Sequence, residues 1–151
     1  MILNFQIITK TTPLTRNLNN VIKNFQRSLF YLDVKQVYGL LIHNIDDIKS
    51  KKFDDLFDEL HKIKSIGKIK KLGFSIYTPE QASFLLNNFK FDLIQVPYNI
   101  IDRRMINSGI FTKLKQNNIE IHARSIFLQG LLIMPQEKRP KKFNRWNNLW
   151  K

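Results

Sequence analysis

The sequence predicts an α/β protein in which five parallel strands alternate with helices. Three observations carry that expectation. Short apolar or β-rich runs recur along the chain, each followed by a stretch with helical periodicity. Their starts, near residues 4, 37, 70, 92 and 119, lie 33, 33, 22 and 27 residues apart, the spacing of βαβ units. One run, Val37–Ile42 (VYGLLI), is nearly all apolar, as in a strand covered on both faces. Right-handed crossovers between such units give a parallel sheet.

The elements follow in order. The first strand is expected at 4–9 (NFQIIT), ending at Lys10, and Thr11, Thr12 and Pro13 turn the chain. Leu18, Val21, Ile22, Phe25, Leu29 and Leu32 then fall on one helix face. Val37–Ile42 ends at His43, and Asp46, Asp47 and the lysines of 49–52 read as a polar loop. Phe53, Leu56, Phe57, Leu60 and Ile63 trace a second helix, stopped by Gly67. The third strand is 71–75 (KLGFS). Thr78-Pro79-Glu80-Gln81 opens a helix to about residue 86, because Thr78 can cap it, Pro79 suits its first position and Gln81 can close a capping box. The fourth strand is 92–96 (DLIQV), ended by Pro97. A single helix is expected over 105–116, and the fifth strand over 119–124 (IEIHAR). From Pro135 the chain turns basic, with Lys138, Arg139, Lys141, Lys142 and Arg145, and with Trp146 and Trp150 beyond. The expected organisation is one α/β unit over 1–134 and a separate C-terminal segment, a tail or truncated helix, over 135–151.

Composition narrows the function. With 43% hydrophobic and 25% charged residues, the 151-residue chain has the makeup of an ordinary globular domain. It has no cysteine, which excludes a disulfide scaffold, a thiolate metal site and a cysteine nucleophile. No apolar run approaches the roughly 18 residues of a membrane span, and Gln6, Lys10 and Arg16 interrupt any signal-peptide core. A soluble, cytoplasmic protein is expected. The net charge of +13 points toward an anionic partner such as nucleic acid. Yet Lys, Asn and Ile make up 53 of the 151 residues, as AT-rich codon usage would produce, and only 7 of the 25 basic residues are arginine. No nucleic-acid motif accompanies the charge. A basic module whose Trp146 and Trp150 stack on bases is the alternative reading, and nucleic acid is not the expected partner.

In parallel α/β folds the chemistry gathers at the C-terminal strand ends. Those positions hold Lys10, His43, Ser75, Gln95 and Arg124. Five polar residues at five strand mouths point to one site. The other chemical candidates fall away. Asp46, Asp47, Asp54, Asp55, Asp58 and Glu59 sit in a loop and on the exposed face and first turns of a helix, where acids suit the dipole, so no metal is expected. His61 reads as solvated on a charged helix, and His122, facing opposite to Ile121 and Ala123, as filling the interior without a catalytic role. Neither GxGxxG nor GxxxxGK[ST] occurs.

Five segments together resemble the aldo-keto reductase family of (β/α)₈ barrels. IITK at 7–10, QVYGLLIHN at 36–44, GKIKKLGFS at 67–75, FDLIQVPYNIID at 91–102 and ARSIFLQGLL at 123–132 follow the order and spacing of barrel strands three to seven in that family. The resemblance implies a partial (β/α)₈ TIM barrel and NAD(P)H-dependent reduction of an aldehyde or ketone, or the reverse oxidation. It makes Lys10 the catalytic lysine that lowers a tyrosine's pKa, and His43 the histidine that orients a small carbonyl substrate. It makes Ser75 and Gln95 the contacts to the nicotinamide carboxamide of NADPH. Arg124 stands where many members have a tyrosine that stacks on the nicotinamide. Ser125, Leu128 and Gly130 fall in the loop that passes near the pyrophosphate. Ile76 departs from the pattern, which usually has asparagine there and so one more amide contact.

The resemblance also implies what lies outside these residues. The first two barrel strands would carry the catalytic tyrosine and its aspartate partner, and the eighth most contacts to the adenosine 2′-phosphate. Neither Tyr38 nor Tyr98 stands where that proton donor belongs. A whole barrel needs about 250 residues, so the chain is expected to be an internal fragment or a truncated reading frame. It is expected to be inactive alone, unless a second chain completes the barrel.

Overall fold

The computed structural model describes residues 5–14 and 17–149. Five strands form one sheet: β1 (Ile8–Lys10), β2 (Val37–Ile42), β3 (Ile69–Ser75), β4 (Leu93–Pro97) and β5 (Glu120–Arg124). Their order is β1-β2-β3-β4-β5, and every neighbouring pair is parallel. The helices between them are α1 (Leu18–Tyr31), α2 (Phe53–Ser65), α3 (Pro79–Asn88), α4 (Arg104–Asn107) and α5 (Ile110–Gln116).

Each helix buries the face its sequence marks. Val21, Phe25 and Leu29 of α1, and Phe53, Leu56, Phe57, Leu60 and Ile63 of α2, pack against Leu40, Ile42, Leu72 and Phe74 of the sheet. Aromatic rings close the space between α2 and β3. Phe57 and Phe74 lie 5.6 Å apart, and Phe74 meets the Phe91 ring edge-on at 5.4 Å. The Asn17 side chain caps α1, and the Thr78–Gln81 capping box of α3 is complete.

Three details differ from the sequence expectations. The helix expected over 105–116 is two helices, because Gly109 at φ 72° turns left-handed between them. The polar loop after His43 is a 3₁₀ turn, Ile45–Lys49, capped by Asn44, and its Asp47 is buried. Asp47 accepts from the Leu14 N–H at 2.9 Å and from Asn44 at 3.1 Å, so it fixes the segment after β1. His61 is half-buried and packs edge-on against Phe57, at 4.7 Å between centroids. The basic C-terminal segment carries the 3₁₀ turns Gln136–Lys138 and Lys141–Leu149. The expected strand start at Asn4 and the expected stacking residue Trp150 lie outside the described residues.

The sheet is strongly curled. In a flat sheet β2 and β5 would lie about 14 Å apart, three spacings of about 4.8 Å. The Tyr38 hydroxyl of β2 nevertheless donates to Glu120 Oε2 of β5 at 2.7 Å. Lys71 of β3 and His122 of β5 also bond Glu120. Further along the concave face, Leu93 fills the centre. A Cβ at Gly39 would stand 3.3 Å from the Leu93 side chain, and a Cβ at Gly73 would stand 1.7 Å from the Leu93 carbonyl oxygen. Five parallel strands curled in this way are part of a (β/α)₈ barrel.

Two predictions follow from this interior. Gly73→Ala places a methyl inside the backbone of β4, and the chain loses at least about 3 kcal/mol. Gly67→Ala, at φ 81° but with open space around it, loses only about 1–2 kcal/mol of backbone strain. Urea unfolding followed by circular dichroism separates them, and equal losses would show that β3 and β4 are not this close.

Burial pushes the Glu120 carboxyl up, but the bonds from Lys71, His122 and Tyr38 outweigh it and hold the group down to about 2, against an ordinary 4.5. A depressed folded-state value stabilises the fold above the unfolded value, and that stabilisation is lost as the pH falls from 4.5 toward 2. The stability difference between wild type and Glu120→Gln should therefore shrink across that window. A difference that stays constant from pH 6 to pH 2.5 would place the carboxylate outside the network.

Candidate active site

Parallel register levels the strand ends. Lys10 pairs with Leu41, two residues before His43. Ile42 pairs with Phe74, the residue before Ser75. Ser75 pairs with Gln95, and Pro97 with Arg124. Lys10, His43, Ser75, Gln95 and Arg124 thus stand at the C-terminal ends of five consecutive strands, on one end of the sheet.

Each is held by its own local chemistry. Lys10 is half-buried, and Thr11 beside it is only 4% exposed. The Thr11 N–H continues the ladder to the Leu41 carbonyl at 2.9 Å, and its Oγ1 accepts from the His43 N–H at 3.2 Å. One hydroxyl therefore clasps the ends of β1 and β2, and the His43 side chain beyond it is exposed. Burial, and then the charge of Arg124, lower the Lys10 pKa below its ordinary value. Among the described residues Lys10 has no ion-pair partner.

Ser75 is buried and Gln95 half-buried on the adjacent strand. A hydroxyl beside a carboxamide offers both donor and acceptor, which suits a ligand amide. Ile76 follows Ser75 with its side chain fully buried in the core, and its N–H donates to the Gln95 carbonyl at 2.9 Å. Where the resemblance has a polar side chain, this chain presents only the Ile76 carbonyl. That oxygen accepts from Arg124 Nη2 at 3.3 Å.

The Arg124 guanidinium lies 4.3 Å from the centre of the Tyr77 ring. Tyr77 is fixed in turn by its N–H, which donates to Gln81 Oε1 of the α3 capping box at 2.8 Å. Ser125, Leu128, Gln129 and Gly130 after β5 all have positive φ, at 58°, 46°, 56° and 91°. A left-handed leucine is strained, and such strain gathers at binding loops. The Leu128 and Gly130 N–H groups are spent inside the loop, on the Ser125 and Phe127 carbonyls at 3.0 Å each. Beneath it Asn99, 4% exposed, donates to the Ser125 carbonyl at 3.2 Å while accepting from the Ile101 and Asp102 N–H groups.

Sequence reasoning missed Thr11, Tyr77, Asn99 and the Glu120 network. Asn99 carries a readable signal, since Asn accepting from N–H groups two and three residues on is a common turn. The Glu120 network carries none, because only the curl brings its members together. Among the described residues no three His, Asp or Glu side chains converge as metal ligands would, and no helix is long and apolar enough to cross a membrane.

A sequence profile of the Aldo/keto reductase family matches residues 3–149. No curated protein matches the chain. Solved structures do. An aldo-keto reductase from Bacillus halodurans in its holo form is 22% identical, with TM-score 0.70 over 87% of this chain and 44% of its own. The glycerol dehydrogenase from Gluconobacter oxydans is 29% identical, with TM-score 0.65 over 83% of this chain and 38% of its own. An aldo-keto reductase solved in complex with NADPH is 20% identical, with TM-score 0.60 over 79% of this chain and 38% of its own. The chain thus spans less than half the length of each of these structures. With a profile matching almost its whole length and a half-barrel that superposes on those enzymes, the chain belongs to the aldo/keto reductase family.

Proposed function

We propose that this chain is the central part of an NADPH-dependent aldo-keto reductase that reduces an aldehyde or ketone, or runs the reverse oxidation. The observation that carries the reading is the convergence of Lys10, His43, Ser75, Gln95 and Arg124 on one end of a family-matched half-barrel. In this reading residues 1–134 form the barrel portion, and 135–151 a separate basic segment.

The bound cofactor supplies hydride. The chain's own residues would bind and position. Ser75 and Gln95 would hold the carboxamide, with donor and acceptor side by side. Arg124, Ser125, Leu128 and Gly130 would line the cofactor's path across the strand ends. Gly130 has nothing within 4 Å of where a Cβ would stand, so a ligand can approach its backbone. His43 would orient the substrate oxygen from its clasp on Thr11. Lys10, lowered by burial and by Arg124, would stabilise a phenolate beside it.

The proton donor is the part this chain would not supply. Charge left on the carbonyl oxygen must be quenched by a poised acid. A lysine with an ordinary pKa of about 10.4 is a weak acid at neutral pH, so Lys10 takes the role of a neighbouring cation and not of the proton donor. The tyrosine, its aspartate and the eighth strand would come from sequence beyond these 151 residues, in the same chain or a second one. The purified 151-residue chain should therefore not oxidise NADPH with model aldehydes above background. Adding a polypeptide that carries the remaining strands should restore turnover, and His43→Ala should abolish it. The decay of NADPH absorbance measures both. Turnover by the chain alone, lost in His43→Ala, would show that the acid lies within these residues.

A further inference from the structure

We propose that the end of the half-barrel opposite the candidate active site docks on an anionic lipid surface, through a groove between α1 and α2 whose apolar walls enter the headgroup layer and whose lysines meet the lipid phosphates. None of the residues involved stands at a strand end, so the proposal is separate from the oxidoreductase reading.

The groove lies where α1 and α2 return the chain to the starts of β2 and β3. It encloses about 680 Å³ and sits between two consecutive units of the barrel, not along either edge of the sheet. Its frame is fixed. The Val37 N–H donates to the Lys68 carbonyl at 3.1 Å, and Gln36 Nε2 donates to the Gly67 carbonyl. Both loops turn through a left-handed residue, Asp33 at φ 51° and Gly67 at φ 81°. On this frame Phe30, at the end of α1, is 79% exposed, and Ile66, just past α2, is 68% exposed. A single exposed apolar side chain is ordinary, but two on the walls of one groove form a patch.

Charge is the second observation. Lys35 and Lys68 line the same groove. Lys70, the second residue of β3, is exposed in the adjoining hollow, which Gln36 also lines. None of the three pairs with a carboxylate among the described residues. The carboxylates at this end are taken, Asp92 by Lys64 and Glu120 by Lys71, which leaves Asp33 as the one acid lining the groove. Cations suit the last turn of a helix, but these three stand past the helices, in the loops and in β3.

Apolar walls with unanswered lysines fit a lipid surface better than another polyanion. An anionic leaflet attracts lysines without offering each a fixed partner, and apolar side chains that enter the headgroup layer add to the hold. A single nucleic-acid strand would call for aromatic platforms under its bases, and one wall here is an isoleucine. Docked in this way, the chain turns Lys10 and His43 toward water, open to a dissolved ligand.

The test is cosedimentation of the purified 151-residue chain with vesicles. Phosphatidylcholine vesicles containing about one-third phosphatidylglycerol should carry the chain down at low salt. They should release it as salt rises toward about 1 M, where the Debye length falls to about 3 Å. Pure phosphatidylcholine should not hold it. Lys35→Gln combined with Lys68→Gln should weaken binding at least about tenfold, and Phe30→Ser combined with Ile66→Ser at least about threefold. Lys141→Gln combined with Lys142→Gln removes the same charge from the basic C-terminal segment and should cost less than about threefold. All six side chains are exposed, and circular dichroism checks that each variant is folded. The chain has no cysteine, so Ile66→Cys can carry an environment-sensitive dye. Its emission should brighten on the anionic vesicles, while that of a dye on Lys51→Cys, just before α2 at the other end, stays unchanged. A chain that ignores the anionic vesicles at low salt overturns the proposal, and if it holds a single-stranded oligothymidylate instead it is a nucleic-acid binder. Binding lost in the Lys141/Lys142 variant but kept in the Lys35/Lys68 variant places the contact in the C-terminal segment and overturns it too. Binding indifferent to Phe30 and Ile66 is charge attraction alone, and that result also sinks the docking surface.

Discussion

A side chain at residue 73 would begin inside the neighbouring strand, since its Cβ would stand 1.7 Å from the Leu93 carbonyl oxygen. That close approach of β3 and β4 is the constraint on which the rest of the molecule depends. It lets Leu93 occupy the centre of the concave face, and it pulls the sheet into the curl that brings β2 and β5 within hydrogen-bonding distance. Once the strands are parallel and curled, their C-terminal ends face one another across a common opening. A residue at the end of β1 and one at the end of β5, 114 positions apart in sequence, then act on each other electrostatically. The site is a consequence of backbone packing before it is a matter of side-chain chemistry.

The same curl divides the cations into two populations. Toward the strand starts, two lysines meet carboxylates. Lys71 meets Glu120, and Lys64 meets Asp92 at 2.6 Å, while Asp92 also accepts from the Leu72 N–H at 2.7 Å. One pair joins two strands and the other joins α2 to the residue before β4, both partly buried, where paired charge costs far less than lone charge. At the strand ends, Lys10 and Arg124 are not answered within the described residues. Two cations without a carboxylate partner among the described residues make the potential at the strand ends more positive.

Local rules were legible in the sequence where the physics is local. The Thr78–Gln81 capping box needs only two side chains three residues apart, and it forms as read. β2 is as read because an unbroken apolar run between polar residues has few other places to go. The five strand-end residues were legible because parallel register carries position along one strand to its neighbour. What they do was not legible from spacing, and their roles rest on the family resemblance. The break at Gly109 was hidden inside helical periodicity, since Met105, Ile110 and Leu114 keep an apolar face across it. Asp47 looked like a loop acid, because its partner, the Leu14 N–H, is 33 residues away. The Glu120 network was hidden for the same reason. Alternation places His122 on the concave face, but only the curl shows that Tyr38 and Lys71 reach the same carboxylate.

Two departures from the family pattern, at residues 76 and 124, are one change when seen in three dimensions. The family resemblance has an asparagine at 76 and, in many members, a tyrosine at 124. Here Ile76 turns its side chain into the core, where it is fully buried, and gives its carbonyl to Arg124. Arg124 needs that carbonyl, because a guanidinium with no anchor would swing into solvent at the cost of its stacking on Tyr77. Together they join the ends of β3 and β5 by a hydrogen bond from a guanidinium to a backbone carbonyl. Ser75 and Gln95 keep their paired places at the ends of β3 and β4.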